Sequence, residues 1–316
     1  MKSLETPDVL LGCLPVVVGD AADLKRQADS LGLLCNYQTF ITKDSLPSTP
    51  SNPVIFDTRS IKGTLRAGRV SATAGRASLS AVEAAVALWK SNKIDAIATA
   101  PINKEAIQQA GSVFPGHTEM LAALAGTNEF LMSFFCDSLR VILLTIHVSL
   151  QEAIKAITFE RVLGVLELAD RELSRFGLPN ARIGVAGLNP HAGENGLFGS
   201  EEIEHMNPAI REARARGIDA RGPLPGDTLF LRAARGEFDA VVACYHDQGL
   251  IPVKSLAFGD SAGVTLALPF VRTSVDHGTA FDIAGKGVAD PRSMTRAITL
   301  AAELARRERE VLRLQP

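Results

Sequence analysis

The sequence predicts an α/β protein built on a mostly parallel sheet, and three observations carry that prediction. Strand-like apolar runs alternate with amphipathic helical segments along the whole chain. Several of these runs are continuously apolar, the pattern of strands covered by helices on both faces. Three of them end in a histidine: Val141-Ile-Leu-Leu-Thr-Ile-His147, Ile183-Gly-Val-Ala-Gly-Leu-Asn-Pro-His191 and Ala240-Val-Val-Ala-Cys-Tyr-His246. In open α/β sheets the ligand edge lies outside the carboxyl ends of the strands. Half of the six histidines would reach that edge, where neutral imidazoles can converge on one divalent cation. A single strand-end histidine is more commonly a hydrogen-bonded loop residue; three in equivalent places favour a ligand set.

In chain order, strands are expected at 14–18, 54–56, 96–99, 130–135, 141–146, 183–186, 240–244 and 264–268. Helices are expected at 22–31, 80–90, 104–110, 119–125, 159–176, 201–215 and 227–234, and an amphipathic helix at 293–312 closes the chain. The first run, Leu14-Pro-Val-Val-Val, resembles an interior strand, and no GxGxxG loop follows a first strand. Residues 46–53, rich in proline and serine, read as an irregular loop. Pro101 breaks the run at 96–99, and Asn103 is best read as the N-cap of the helix that follows. Gly116, His117 and Thr118 stand at a helix start, either as a capping turn with Thr118 as cap or as an anion pocket. Asp227 opens a helix after Gly222-Pro-Leu-Pro-Gly226 as an N-cap or as an oxygen ligand or base.

Composition narrows the function classes. The 316 residues are 46 % apolar and 22 % charged, with a formal charge of −2. That balance gives no reason to expect nucleic acid or an anionic membrane. No apolar run approaches the roughly 18 residues of a membrane span, and a cytoplasmic location is expected. Cys13, Cys35, Cys136 and Cys244 are widely spaced, which argues against a disulfide framework and a cysteine-rich zinc site. Any metal would then be held by histidine and oxygen ligands, the pattern of a catalytic site. Cys136 and Cys244 lie in apolar runs and are expected to be buried.

Four clusters carry chemistry besides the histidines. Lys104, next to Asn103, adds a cation at a helix start. His117 and Thr118 offer a phosphate or carboxylate pocket. Three glycines follow the strand before His191, and Glu194 is a candidate to orient a metal-bound histidine. Asp247 follows His246, while Lys254 and Arg272 follow apolar segments and suit acidic groups, Arg272 in bidentate fashion.

The runs TAPINKEAI, FPGHTEML, GLNPHAGENGLFG, YHDQGLIPVK and LPFVRTSVDHGTAFDIAGKG resemble the 4-hydroxythreonine-4-phosphate dehydrogenase (PdxA-type) family of vitamin B6 synthesis, from about residue 15 onward. The stretch from His277 to Asp290 is also similar to the adenosine loop of isocitrate and isopropylmalate dehydrogenases. The resemblance implies an isocitrate dehydrogenase-like fold: one catalytic unit of two α/β/α subdomains with a cleft between them. The first would cover about 1–112 plus 275–316 and the second about 113–274. It implies NAD or NADP held without a GxGxxG loop, through His277, Gly278, Asp282 and Asp290. It also implies one divalent metal (Zn, Co, Mn or Mg) on His147, His191 and His246, supplied by both partners of a homodimer with its active site at the interface. His117, Thr118, Lys254 and Arg272 would bind substrate, and Asp247, Asp227 and Lys104 are the catalytic candidates.

Two departures stand out. The family usually reads Asn-Val-Thr-Leu-Gly-Leu-Pro before the arginine motif, where this chain has Gly263-Val-Thr-Leu-Ala-Leu-Pro. The family's opening strand and GDPAGIGPE loop have no counterpart in this sequence. The expected activity is NAD-dependent, metal-assisted oxidation and decarboxylation of 4-phosphooxy-L-threonine to 3-amino-2-oxopropyl phosphate, for pyridoxal phosphate synthesis. The alternatives are the same chemistry on D-threonate or D-erythronate 4-phosphate, a histidine–metal hydrolase, and an inactive phosphoacid-binding paralogue.

Overall fold

The computed structural model describes every residue except 48, 49, 51, 258, 315 and 316, so part of the loop expected at 46–53 lies outside the described residues. The chain is a mixed α/β structure that divides into two compact units, 1–129 with 268–303 and 130–267 with 304–316. Residues 113–129 therefore fall in the first unit, and the end of the last helix in the second.

Among the described residues the first unit holds five of eleven strands: β1 (Val16–Gly19), β2 (Gln38–Phe40), β3 (Val54–Asp57), β4 (Ala96–Thr99) and β11 (Val271–Ser274). β1, β3 and β2 form a parallel sheet in that order, and β11 pairs parallel with β4. Its helices begin where side chains satisfy their first amide groups. Asp20, Ser71 and Asn103 accept from Asp23, Ala74 and Ala106 respectively, so the N-cap reading of Asn103 holds. Helix Ala72–Lys90 crosses helix Lys104–Gln109 at very short range: a Cβ built on Gly75 would lie 1.9 Å from the carbonyl oxygen of Ala106.

The second unit holds β5 (Leu131–Phe135), β6 (Arg140–Leu143), β7 (Ile183–Ala186), β8 (Ala220–Leu224), β9 (Ala240–Ala243) and β10 (Ala262–Leu266). They run in the order β10-β5-β6-β9-β7-β8. β5 is antiparallel to both of its neighbours, whereas β6, β9, β7 and β8 are mutually parallel. Those four strands therefore present their carboxyl ends at one edge. β7 and β9 are buried along their whole length, as continuous apolar runs require. Helix Phe159–Arg175, capped by Thr158, buries Val162, Leu163, Leu166, Ala169 and Leu173 at helical spacing.

Three strands escape sequence reading: β2, β8 and β11. β8 carries Gly222 and Pro223 with a cis bond between them, and proline is tolerated there because β8 is an edge strand. β11 reads Val-Arg-Thr-Ser, yet its first three residues are buried. The Thr273 hydroxyl donates to the Ala297 carbonyl, which removes the cost of burying it. Cys35, Cys136 and Cys244 are buried and Cys13 is partly exposed. No helix among the described residues is long and apolar enough to cross a membrane.

Candidate active site

In the first unit, Arg272 on β11 is 6 % exposed, and its Nη2 donates to the Thr99 hydroxyl at the end of β4 over 2.8 Å. The Thr99 hydroxyl in turn donates to the Thr273 carbonyl. Burial lowers the Arg272 pKa to about 10, opposed by the charge of Glu119, so the guanidinium stays cationic at neutral pH. His117 opens helix His117–Ala125, whose N-cap is Gly116. Of the two readings of Thr118, the cap does not hold; the residue lies inside the first turn and is buried. Lys104 and Glu119 converge on Gly116: a Cβ there would lie 3.9 Å from Lys104 Cε and 3.5 Å from Glu119 Oε2. The unit thus gathers Lys104, His117, Thr118 and Arg272 with the Glu119 carboxylate among them; Lys104 and Arg272 supply the positive charge that an anion would meet.

Burial, then the positive charge of Arg272, push the His117 pKa from 6.5 to about 4. The imidazole is neutral in the folded protein at neutral pH, and below pH 6.5 the unfolded chain binds the extra proton. Stability from this group is therefore complete above pH 6.5 and is lost as pH falls toward 4, by on the order of 3 kcal/mol. His117→Gln should flatten the dependence of the urea midpoint on pH in that window. An unchanged slope contradicts it.

In the second unit, His147 follows β6 and His246 follows β9, and their ring centroids stand 5.7 Å apart. Three hydrogen bonds fix the strand ends that carry them. The Thr145 hydroxyl donates to the Cys244 carbonyl, and Gln248 accepts from the Cys244 amide while donating to the Gly187 carbonyl. Gln248 belongs to the YHDQG motif, yet nothing in the sequence singled it out. Asp247 is exposed, and its carboxylate sits 2.7 Å from His246 Nδ1. A carboxylate there favours the tautomer that carries its proton on Nδ1 and leaves Nε2 as the acceptor nitrogen.

Helix His246–Leu256 displays His246, Asp247, Leu250, Ile251, Lys254 and Ser255 along one face, lining a cavity of about 390 Å³. Lys254 lies about 12 Å along the axis from His246. Asp227 is exposed in the first turn of helix Gly226–Ala234, and its side chain makes no capping bond, so the N-cap reading does not hold. Glu194 is exposed on the loop that carries His191.

The donor chemistry of His147 and His246 with Asp247 fits a divalent cation. Among the described residues no three His, Cys, Asp or Glu side chains are placed to hold a metal. A single chain therefore brings His147 and His246 together without His191, whose ring packs near Phe198. On the expected cofactor segment, His277 is exposed with its Nδ1 2.8 Å from the Gly278 carbonyl, and Asp282 is also exposed. Asp290 accepts from the Arg292 amide and guanidinium at the start of helix Arg292–Leu314.

Comparison with known proteins identifies the family of the chain. Residues 12–301 match the family model for pyridoxal phosphate biosynthetic protein PdxA. The D-threonate 4-phosphate dehydrogenase of Cupriavidus necator is 48 % identical over 97 % of this chain and 92 % of its own. The 4-hydroxythreonine-4-phosphate dehydrogenase of Geobacter metallireducens is 45 % identical over 96 % of this chain and 90 % of its own. The crystal structure of 4-hydroxythreonine-4-phosphate dehydrogenase from Klebsiella pneumoniae superimposes with a TM-score of 0.84. It is 42 % identical, over 95 % of this chain and 94 % of that one.

Proposed function

Since the chain belongs to the PdxA family, we propose that it is an NAD-dependent, divalent-metal-assisted dehydrogenase of a four-carbon hydroxy acid 4-phosphate. The principal reading is oxidation of 4-phosphooxy-L-threonine, followed by loss of carbon dioxide, to 3-amino-2-oxopropyl phosphate in pyridoxal phosphate synthesis. One observation carries it: two imidazoles 5.7 Å apart at parallel strand ends, one of them oriented by a carboxylate. When bound, the cation supplies Lewis acidity and the nicotinamide accepts hydride.

The chain's own residues do the rest. Buried Arg272 and nearby Lys104 hold anionic groups of the substrate, and neutral His117 offers a hydrogen bond without adding charge. Asp247 holds the His246 ring. Asp227 is then the remaining carboxylate for taking the hydroxyl proton, and Lys104 could take it only as the neutral amine, in place of its anion-holding role; either must come within hydrogen-bond reach. His277, Gly278, Asp282 and Asp290 would line the nicotinamide dinucleotide site. Val148, Leu150, Leu197 and Ile251 expose large apolar side chains on the segments that carry the three histidines. A second copy of the chain covering them would also bring His191 to a shared ion.

D-Threonate 4-phosphate is the second reading, favoured by Gly263 and by the Cupriavidus relative. Gly263 is buried on β10 and pairs with Phe134, so no side chain there can hydrogen-bond a substituent of the substrate. NADH formation measured with both substrates, with and without chelator, tests both readings. The principal reading expects kcat/KM at least about tenfold higher for the amino substrate, a difference of about 1.4 kcal/mol in transition-state binding. The reverse ratio selects the second reading. Turnover of neither, or turnover indifferent to chelator, overturns the proposal.

A further inference from the structure

The backbone between β7 and the π-helical turn Glu202–Met206 is unusual. His191, Ala192, Gly193, Glu194 and Asn195 follow one another with φ of 53°, 53°, 81°, 43° and 55°. Four of the five are not glycine, and each side-chain-bearing residue occupies the left-handed region at a conformational penalty. Such a run persists only where its surroundings over-determine it.

The surroundings are specific. Glu202 is 2 % exposed, and both of its carboxylate oxygens are used on one residue, Asn189, at the mouth of the turn. The Asn189 amide donates to Oε1 over 2.7 Å and its Nδ2 donates to Oε2 over 2.9 Å. Nδ2 also donates to Glu201 Oε2 over 2.7 Å. The turn closes on that anchor, with the Ala192 amide donating to the Asn189 carbonyl and the Phe198 amide to the Gly193 carbonyl. A Cβ on Gly193 would lie 2.8 Å from Glu202 Oε2, so the carboxylate sits directly against the middle of the turn. His191 projects from the first left-handed residue, two positions after Asn189.

We infer that Glu202 is a positioning residue: through Asn189 it holds the left-handed turn that presents His191 to the metal. The inference rests on His191 being a ligand, as proposed above. Carboxylates that support a ligating histidine at one remove typically alter metal affinity about 10–100-fold when changed. Glu202→Gln keeps the volume of the side chain but turns an amide donor toward Asn189 Nδ2, so that contact becomes donor against donor.

The test is a Co²⁺ titration of the intact protein, read by its visible absorption band and by the dissociation constant, with folding checked by circular dichroism. Three variants are compared with the parent. Glu202→Gln should weaken Co²⁺ binding about 10–100-fold and alter the band. Glu172→Gln should leave both unchanged: it is an equally buried carboxylate on helix Phe159–Arg175, bonded to Arg175, and it matches the general effect of losing a buried charge.

His191→Ala separates the two layers of the argument. If it leaves Co²⁺ affinity intact, the ligand reading itself fails. If it weakens binding while Glu202→Gln does not, the positioning role alone fails. Equal weakening by Glu202→Gln and Glu172→Gln also overturns the positioning role. If Glu202→Gln does not fold, Asn189→Ser takes its place, because it breaks only the side-chain bonds of Asn189 and carries the same expectation.

Discussion

Gly75→Ala is expected to lower the stability of the protein by at least the upper end of the about 1–3 kcal/mol typical of overpacking. The added methyl would meet only backbone: the Ala106 carbonyl oxygen at 1.9 Å, its carbon at 2.4 Å and the Ile107 nitrogen at 2.9 Å. No rotamer can relieve such a contact, so two helices must move apart and their shared apolar face must open. Alanine's better helix propensity returns only about 1 kcal/mol. Gly164, in the middle of helix Phe159–Arg175, has nothing within 4 Å of the same built position. Gly164→Ala should therefore be neutral or slightly stabilising. Urea unfolding followed by circular dichroism compares the two, and equal midpoints would contradict this account of the helix crossing.

The second large effect separates binding from folding. Arg272→Met removes a buried guanidinium that holds the Thr99 hydroxyl and feels the charge of Glu119. An apolar side chain of similar length avoids the desolvation that a buried cation demands but leaves Thr99 and Glu119 without that partner, so the two effects oppose each other and stability should change little. An anionic substrate loses a desolvated charge partner, worth about 2 kcal/mol or more, and its KM should rise at least about 30-fold. Thermal unfolding and steady-state kinetics on the same preparation read both quantities. A variant that melts early but binds substrate normally would assign Arg272 to the scaffold instead of the site.

Legibility from sequence followed the physics of each residue. The runs ending at His147, His191 and His246 were visible because a strand buried on both faces must be apolar throughout. The last helix, and the helix through Val162 and Leu166, were visible from their apolar spacing. β11 was hidden because its burial depends on hydroxyl and guanidinium groups satisfied by distant backbone. β8 was hidden by Gly222 and Pro223, which read as a turn and are tolerated only at an edge. Helix His246–Leu256 contains Pro252, a residue that argues against a helix interior, and it was missed for that reason. Asn189 and Glu202 are 13 residues apart, and no local pattern announces a contact across a left-handed turn. The pairing of His147 with His246 was foreseeable in kind, but its register depends on Thr145 and Gln248, whose partners are set only by the fold.

The distribution of thiols has a practical consequence. Cys35 packs with Ala28 and Ile55 in the first unit, while Cys136 and Cys244 lie in the core of the second, where Cys244 donates to the Ala186 carbonyl. Burial raises the Cys244 pKa well above the ordinary thiol range, and only the thiolate reacts with alkylating agents. Burial also keeps reagents from Cys35, Cys136 and Cys244 until the unit around each breathes open. Timed alkylation with peptide-level readout would then give the opening rate of each half separately, from an unmodified sample, with Cys13 marking the surface rate.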